Sequence, residues 1–196
     1  MPHLAMKMEK RYTYSDFMTW PDEECWEIIN GIPYAMSPAP SRKHQAMVLE
    51  LSRLFANHIK EQGGSCKVYI APFDVRLPEG SQTDDQIETV VQPDIVIVCD
   101  NSKLDDKGCK GSPDMVVEIA SPSTVRRDMS EKLRLYEHHG VREYWLVLPG
   151  EQAVSVYSLD ERQQYGKPEV YTPADEAPVR TMDGLTVKLV DVFAAE

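Results

Sequence analysis

A carboxylate inside an apolar strand constrains this chain more than any other feature. Pro113-Asp114-Met115-Val116-Val117-Glu118-Ile119-Ala120 is bounded by a proline on one side and by Ser121-Pro122-Ser123-Thr124 on the other. Apolar runs of this length between turn signals suit a strand buried on both faces. Burying an unpaired charge is costly, so Glu118 needs a partner, a proton or a metal ion.

A partner lies upstream, in Gln92-Pro93-Asp94-Ile95-Val96-Ile97-Val98-Cys99. Antiparallel pairing across the polar connection from Asp100 to Ser112 brings the start of this strand to the end of the other. A register of Ile95 with Val117 and Val96 with Val116 sets Asp94 opposite Glu118. Directly opposed residues have Cβ atoms roughly 4.5–5.5 Å apart, where like charges repel. Two facing carboxylates on buried strands invite a divalent cation. The plainer alternative is a strand-end Asp94 that is solvated or caps a turn.

Around these strands the pattern alternates between strand and helix. Tyr12 to Trp20 reads as a short helix capped by Thr13 or Ser15. Cys25 to Met36 reads as a hairpin over Asn30-Gly31, with Pro33 marking an edge strand and Glu27 pointing away from Trp26 and Ile28. Ser41 caps a long helix whose apolar residues, Met47 to Ile59, recur at helical spacing until Gly63-Gly64. His44 sits on or near that apolar face, where a core histidine is the commoner case. Lys67 to Leu77 is extended, and Pro78 to Thr89 reads as a mobile polar loop. Asp128-Met129-Ser130-Glu131 has the form of a capping box opening a second helix, closed by His138-His139-Gly140. The two histidines point in different directions on a helix and are not read as a metal pair. Glu143 to Leu148 returns parallel to the Glu118 strand, with Ala153 to Leu159 as its hairpin partner and a last strand at Leu185 to Leu189.

The chain has 196 residues, enough for a single domain over 1–196, with 1–11 expected as a flexible tail. Its 42% hydrophobic and 27% charged content is ordinary for a globular protein. No apolar run is long enough for a membrane span. Cys25, Cys66, Cys99 and Cys109 lack CxxC spacing, and Cys99, which ends an apolar strand, reads as a buried thiol; together they favour a reducing cytoplasm, without zinc or disulfides. The net charge of −11 excludes a surface that grips nucleic acid all over. Contact with DNA requires a local patch, for which Arg42-Lys43 and Arg126-Arg127 are the candidates; solvated helix ends are the other reading of each pair.

Gln92-Pro93-Asp94, then Glu118-Ile119-Ala120-Ser121-Pro122-Ser123-Thr124, then Asp128, Lys132, Tyr136 and Gly140-Val141-Arg142-Glu143-Tyr144-Trp145 form one pattern. It resembles the Uma-type restriction endonuclease family, a branch of the PD-(D/E)XK nuclease superfamily, from about Tyr12 to Phe193. The resemblance implies an α/β fold: a restriction-endonuclease-like mixed β-sheet core flanked by helices, with an N-terminal β-hairpin. It also implies a divalent cation, Mg2+ or Mn2+. Asp94 matches the family's first acid and Glu118 its second, while Glu27 and His44 match an upstream acid and histidine. The superfamily lysine belongs two residues after the second acid, where this chain has Ala120; Lys132, on the following helix, stands in its place.

The chemistry expected is phosphodiester hydrolysis in DNA. Asp94 and Glu118, with the Ile119 carbonyl, are the expected metal ligands. Lys132 is expected to reach them and stabilise charge, and its loss to abolish cleavage while leaving the fold intact. Tyr136, one turn on, either holds that lysine or packs. The competing expectation is a catalytically weak nuclease-fold protein serving as a binding or assembly module. Cutting both strands of a duplex with one site per chain points to a homodimer, with Trp26, Ile32 and Tyr34 of the hairpin and the C-terminal strands as contacts.

Overall fold

The structure, a computed structural model, describes residues 10–21, 25–36 and 40–194. The expected flexible tail falls outside these residues except for Lys10 and Arg11. Those two are held: Arg11 pairs with Glu88 at 2.5 Å, and Lys10 lies over the Tyr12 ring.

Thr13 caps α1 (Tyr14–Phe17) in a true capping box with Asp16. β1 (Trp26–Ile29) and β2 (Ile32–Ala35) form the hairpin over Asn30 and Gly31, both at positive φ as this tight turn requires. Ser41 caps α2 (Arg42–Gln62), and Gly63 ends it in the left-handed conformation. β3 (Lys67–Ile70), β4 (Val75–Arg76), β5 (Val90–Val91) and β6 (Ile95–Val98) follow, then the small hairpin β7 (Leu104–Asp105) and β8 (Gly108–Lys110). β9 (Met115–Ile119) carries Glu118. After the Ser121–Thr124 turn the chain runs through α3 (Val125–Arg127), a π-helical turn (Asp128–Lys132) and α4 (Leu133–His138). It continues through β10 (Glu143–Leu148), β11 (Ala153–Ser158), β12 (Glu169–Tyr171), β13 (Glu176–Pro178), β14 (Thr186–Lys188) and α5 (Leu189–Ala194).

Among the described residues these strands make two six-stranded mixed sheets and one two-stranded sheet. The main sheet runs β12-β11-β10-β9-β6-β3. β6 pairs antiparallel with β9 in the expected register, Ile95 with Val117 and Val96 with Val116. β10 runs parallel to β9, as the crossover through α3 and α4 requires. Strand alternation then divides the core. Ile95, Ile97, Val117 and Trp145 face α2 and α5, with Phe55 edge-on to Trp145. Val96, Val116, Tyr144 and Leu146 face the other way, against Leu135 and Tyr136 of α4 and against Ile29, Val75 and Val91 of the second sheet. That sheet runs β2-β1-β5-β4-β8-β7, with the Pro33 strand at its edge as expected.

Three sequence expectations are corrected. Pro78 to Thr89 is anchored rather than mobile: Asp84 pairs with Lys107, Lys110 and the buried Arg76, and Ile87 is fully buried. Cys66 and Cys99 form a disulfide, so Cys99 is not a thiol. The cysteine argument for a reducing compartment loses its basis with it. The pairing comes from tertiary register, since Lys67 lies opposite Val98 and carries Cys66 to Cys99; sequence spacing alone does not reveal it. Asp128 opens no helix: α3 is entered at Thr124, without a side-chain cap, and Asp128 lies inside the helical run.

Candidate active site

Asp94 precedes β6 on the same side as Val96, and Glu118 lies on β9 on the same side as Val116. The β6–β9 register therefore sets the two acids next to one another on the face turned toward α3 and α4. The backbone fixes Asp94: the Ile119 amide donates to its Oδ2 at 2.7 Å. His44, one turn into α2, brings Nε2 to 3.1 Å from Asp94 Oδ1. Its other ring nitrogen is buried without a hydrogen-bond partner among the described residues.

Glu118 is buried, and two donors converge on one of its oxygens. Lys132 Nζ lies 2.8 Å and the Tyr136 hydroxyl 2.7 Å from Oε1. Both hydrogen bonds fall on Oε1, so among the described residues Oε2 keeps its lone pairs for a further partner. Lys132 also donates to Glu27 Oε1 at 2.7 Å, which accepts the Gln92 amide as well at 3.0 Å. Glu27 shares its side of β1 with Ile29, which packs in the core between the sheets. The hairpin thus delivers this acid from the second sheet onto the helix that the first sheet supports.

The π-helical turn explains why a lysine fourteen residues after Glu118 can return to it. Helix entry is tight: the Ser121 amide donates to Thr124 Oγ1 at 3.0 Å, and the Ser121 carbonyl accepts from Thr124 and Val125. The wide turn then puts both Asp128 and Lys132 on the buried side. Tyr144 fixes it from β10 by donating to the Asp128 carbonyl at 3.2 Å.

Charge dominates the chemistry of this cluster. One buried ammonium stands among four carboxyl groups, Glu27, Asp94, Glu118 and Asp128. Burial pushes the Glu118 carboxyl up from 4.5 to about 8; Lys132 opposes the rise, and Asp128, Asp94 and Glu27 add to it. Asp128 is likewise raised by burial. Burial works against the Lys132 ammonium, but the Glu118, Glu27 and Asp128 charges outweigh it and raise its pKa above the ordinary lysine value. The cluster therefore holds its lysine charged and keeps an extra proton near neutrality. An oxygen-rich, electron-rich site of this kind is chemically suited to a hard divalent cation.

Glu27, His44, Asp94, Glu118, Lys132 and Tyr136 are thus brought together, and the Ile119 backbone borders them. The basic pairs adjoin the cluster. Arg42 and Lys43 are exposed beside His44, and Arg126 is exposed on α3. Arg127 lies over the Tyr34 ring, 4.3 Å from its centroid, and 4.0 Å from Glu27 Oε2. Residues missed in the sequence are Asp128, Gln92 and Asp74. Gln92 Nε2 donates to Asp74 Oδ1 at 2.7 Å, and the Tyr14 hydroxyl to Oδ2 at 3.3 Å, extending the network behind Glu27. Gln92 stands beside Asp94 in the family-like motif and Asp128 one turn before Lys132, which were the signals available. A further departure lies at the far end of α4. The His138 and His139 rings, expected to point apart, both bring Nε2 toward Glu79 Oε1, at 2.9 and 3.6 Å.

A mixed sheet with helices on its flanks and two acids opposed across an antiparallel pair fit the restriction-endonuclease-like class, here with the lysine returning from the next helix. The family model of Uma2, described as "Putative restriction endonuclease", matches residues 14–190, and the chain belongs to that family. The fold is similar to a crystal structure of a protein from Anabaena variabilis described as a putative nuclease. The TM-score is 0.74 with 22% identity, covering 94% of this chain and 98% of that one. An uncharacterized protein of Synechocystis is 28% identical over 149 residues, 74% of this chain and 73% of its own length.

Proposed function

We propose that this protein is a metal-dependent endonuclease that hydrolyses phosphodiester bonds in DNA. The observation that carries the reading is the opposition of Asp94 and Glu118 with Lys132 Nζ 2.8 Å from Glu118. Asp94 and Glu118 would hold the cation, Mg2+ or Mn2+, with the Ile119 carbonyl as a third donor. Continuing the register sets Pro93 opposite Ile119, and a proline has no N–H to donate to that carbonyl. A cation bound there supplies an activated water and relieves the charge that builds on phosphate.

The chain's own residues do the rest. His44 and the Ile119 amide orient Asp94, and Tyr136 orients Glu118. Lys132 holds positive charge at the acids, with Glu27 keeping it in place. Arg42, Lys43 and Arg126 would bind the DNA backbone beside the cluster, and two copies of the chain would serve the two strands.

A second reading, a nuclease-fold module of weak catalysis that binds or assembles, draws on two observations. Lys132 is already paired within the chain to two carboxylates, and the net charge is −11. Nicking of supercoiled plasmid separates the two. The nuclease reading expects cleavage with Mg2+ or Mn2+, none with chelator and none by Glu118→Gln. A wild-type protein inert with both metals supports the second reading.

A further inference from the structure

We propose a second metal site, for a divalent transition cation such as Zn2+, at Glu79, His138 and His139. Two remote segments build it. Glu79 comes from the loop after β4, where its amide donates to Gln82 Oε1 at 2.8 Å. The histidines come from the last residue of α4 and its C-cap. Adjacent side chains on a regular helix diverge by about 100°. Here His139 has already left the helix at φ −83° and ψ 0°, and Gly140 turns the chain at φ 76°. Ser112 Oγ donates to the His139 carbonyl and fixes that turn. One ligand atom from each of the three residues lies within 4.8 Å of the other two, the one such group among the described residues with three donors this close.

The donor set defines the ligand class. Two imidazoles and one carboxylate suit Zn2+ and its neighbours among transition metals, whereas Mg2+ prefers oxygen donors. Four-coordinate zinc would have one position left over. His138 borders two clefts, of about 510 and 400 Å³, so water or a ligand can reach that position. The His139 side chain is 7% exposed and supplies the site's fixed wall, while His138 and Glu79 are 64% and 62% exposed and free to adjust. The site is separate from the acid cluster, but α4 carries Tyr136 of that cluster. An ion here would cross-link the Glu79 loop to the helical run that positions Lys132.

Calorimetric titration of Zn2+ into chelator-stripped, untagged full-length protein, with excess Mg2+ present, tests the proposal. The expected result is one Zn2+ per chain. Glu79→Gln and His138→Ala, both at exposed positions, are each expected to weaken it at least about tenfold. Asp94→Asn should leave it unchanged. No binding by the wild type, undiminished binding by both surface variants, or loss in Asp94→Asn overturns the assignment. The last outcome would place the zinc at the acid cluster.

Discussion

Lys132 is the residue on which the site turns, and its surroundings change what its removal should do. It is buried, and its ammonium serves Glu27 and Glu118 together. Lys132→Ala leaves Glu27 buried without its cation and Glu118 without a donor, a loss of about 3–5 kcal/mol for a broken buried pair. The expectation that the fold is indifferent to this change therefore fails on burial. Denaturant melts in chelator should show the loss and added Mg2+ should recover part of it; equal stability with and without Lys132 would contradict the pairing. Glu118 gives the pH dependence. Its pKa is 4.5 in the ordinary state and about 8 when buried, so the folded protein holds a proton that the unfolded chain has already lost. This contribution to stability is fully present below the lower value and is lost as pH rises through the upper one. Mg2+ held at Glu118 as proposed would displace the same proton, so its affinity should rise across that window, by up to about tenfold per pH unit. Titrations at about pH 6 and about pH 8 check both signs. The opposed acids were legible because a charge in an apolar strand demands an explanation. Glu27 was legible only through the family resemblance, since nothing local to a hairpin says which core its acid enters. Asp128 was hidden by a capping pattern that the real helix entry at Thr124 overrides.

Most elements were legible because each rests on a local signal. Ser41 and Gly63 bound α2, Asn30-Gly31 makes the hairpin, and the β6–β9 register is the one that sets Asp94 opposite Glu118. What escaped depends on pairing between distant segments. The Glu79 loop looked mobile because its polar residues find partners in distant segments, Asp84 in β4, β8 and the turn before β8, and Glu79 at the end of α4. The Cys66–Cys99 disulfide needs β3 laid against β6. That bond ties the edge strand to the strand leading out of Asp94 and closes a loop with a sequence separation of 33. Chain-entropy bookkeeping gives a contribution of about 3–4 kcal/mol for a loop of this length. Reduction, or Cys66→Ser, should lower the denaturant midpoint accordingly, while free-thiol titration of the unfolded, unreduced protein should leave Cys66 and Cys99 unlabelled. Labelling of all four cysteines would remove the disulfide.

At the scale of the molecule the net charge of −11 sets how DNA can be met. Attraction to DNA would have to come from a few cations beside the cluster, against the net negative charge of the whole. Binding through Arg42, Lys43 and Arg126 should weaken with salt at a log–log slope of about −3, one per phosphate contact. Arg126→Ala should reduce that slope by about 1 without altering sequence preference. A slope near zero would mean that the protein does not engage DNA through this patch.

Asp94 and Glu118, brought together by strand register, are the proposed holders of a catalytic cation. Anomalous scattering from a crystal soaked in Mn2+ tests this role most directly. The expected result is a manganese peak between the Asp94 and Glu118 carboxylates that disappears in Asp94→Asn. A saturating soak that leaves the space between them without manganese would contradict it.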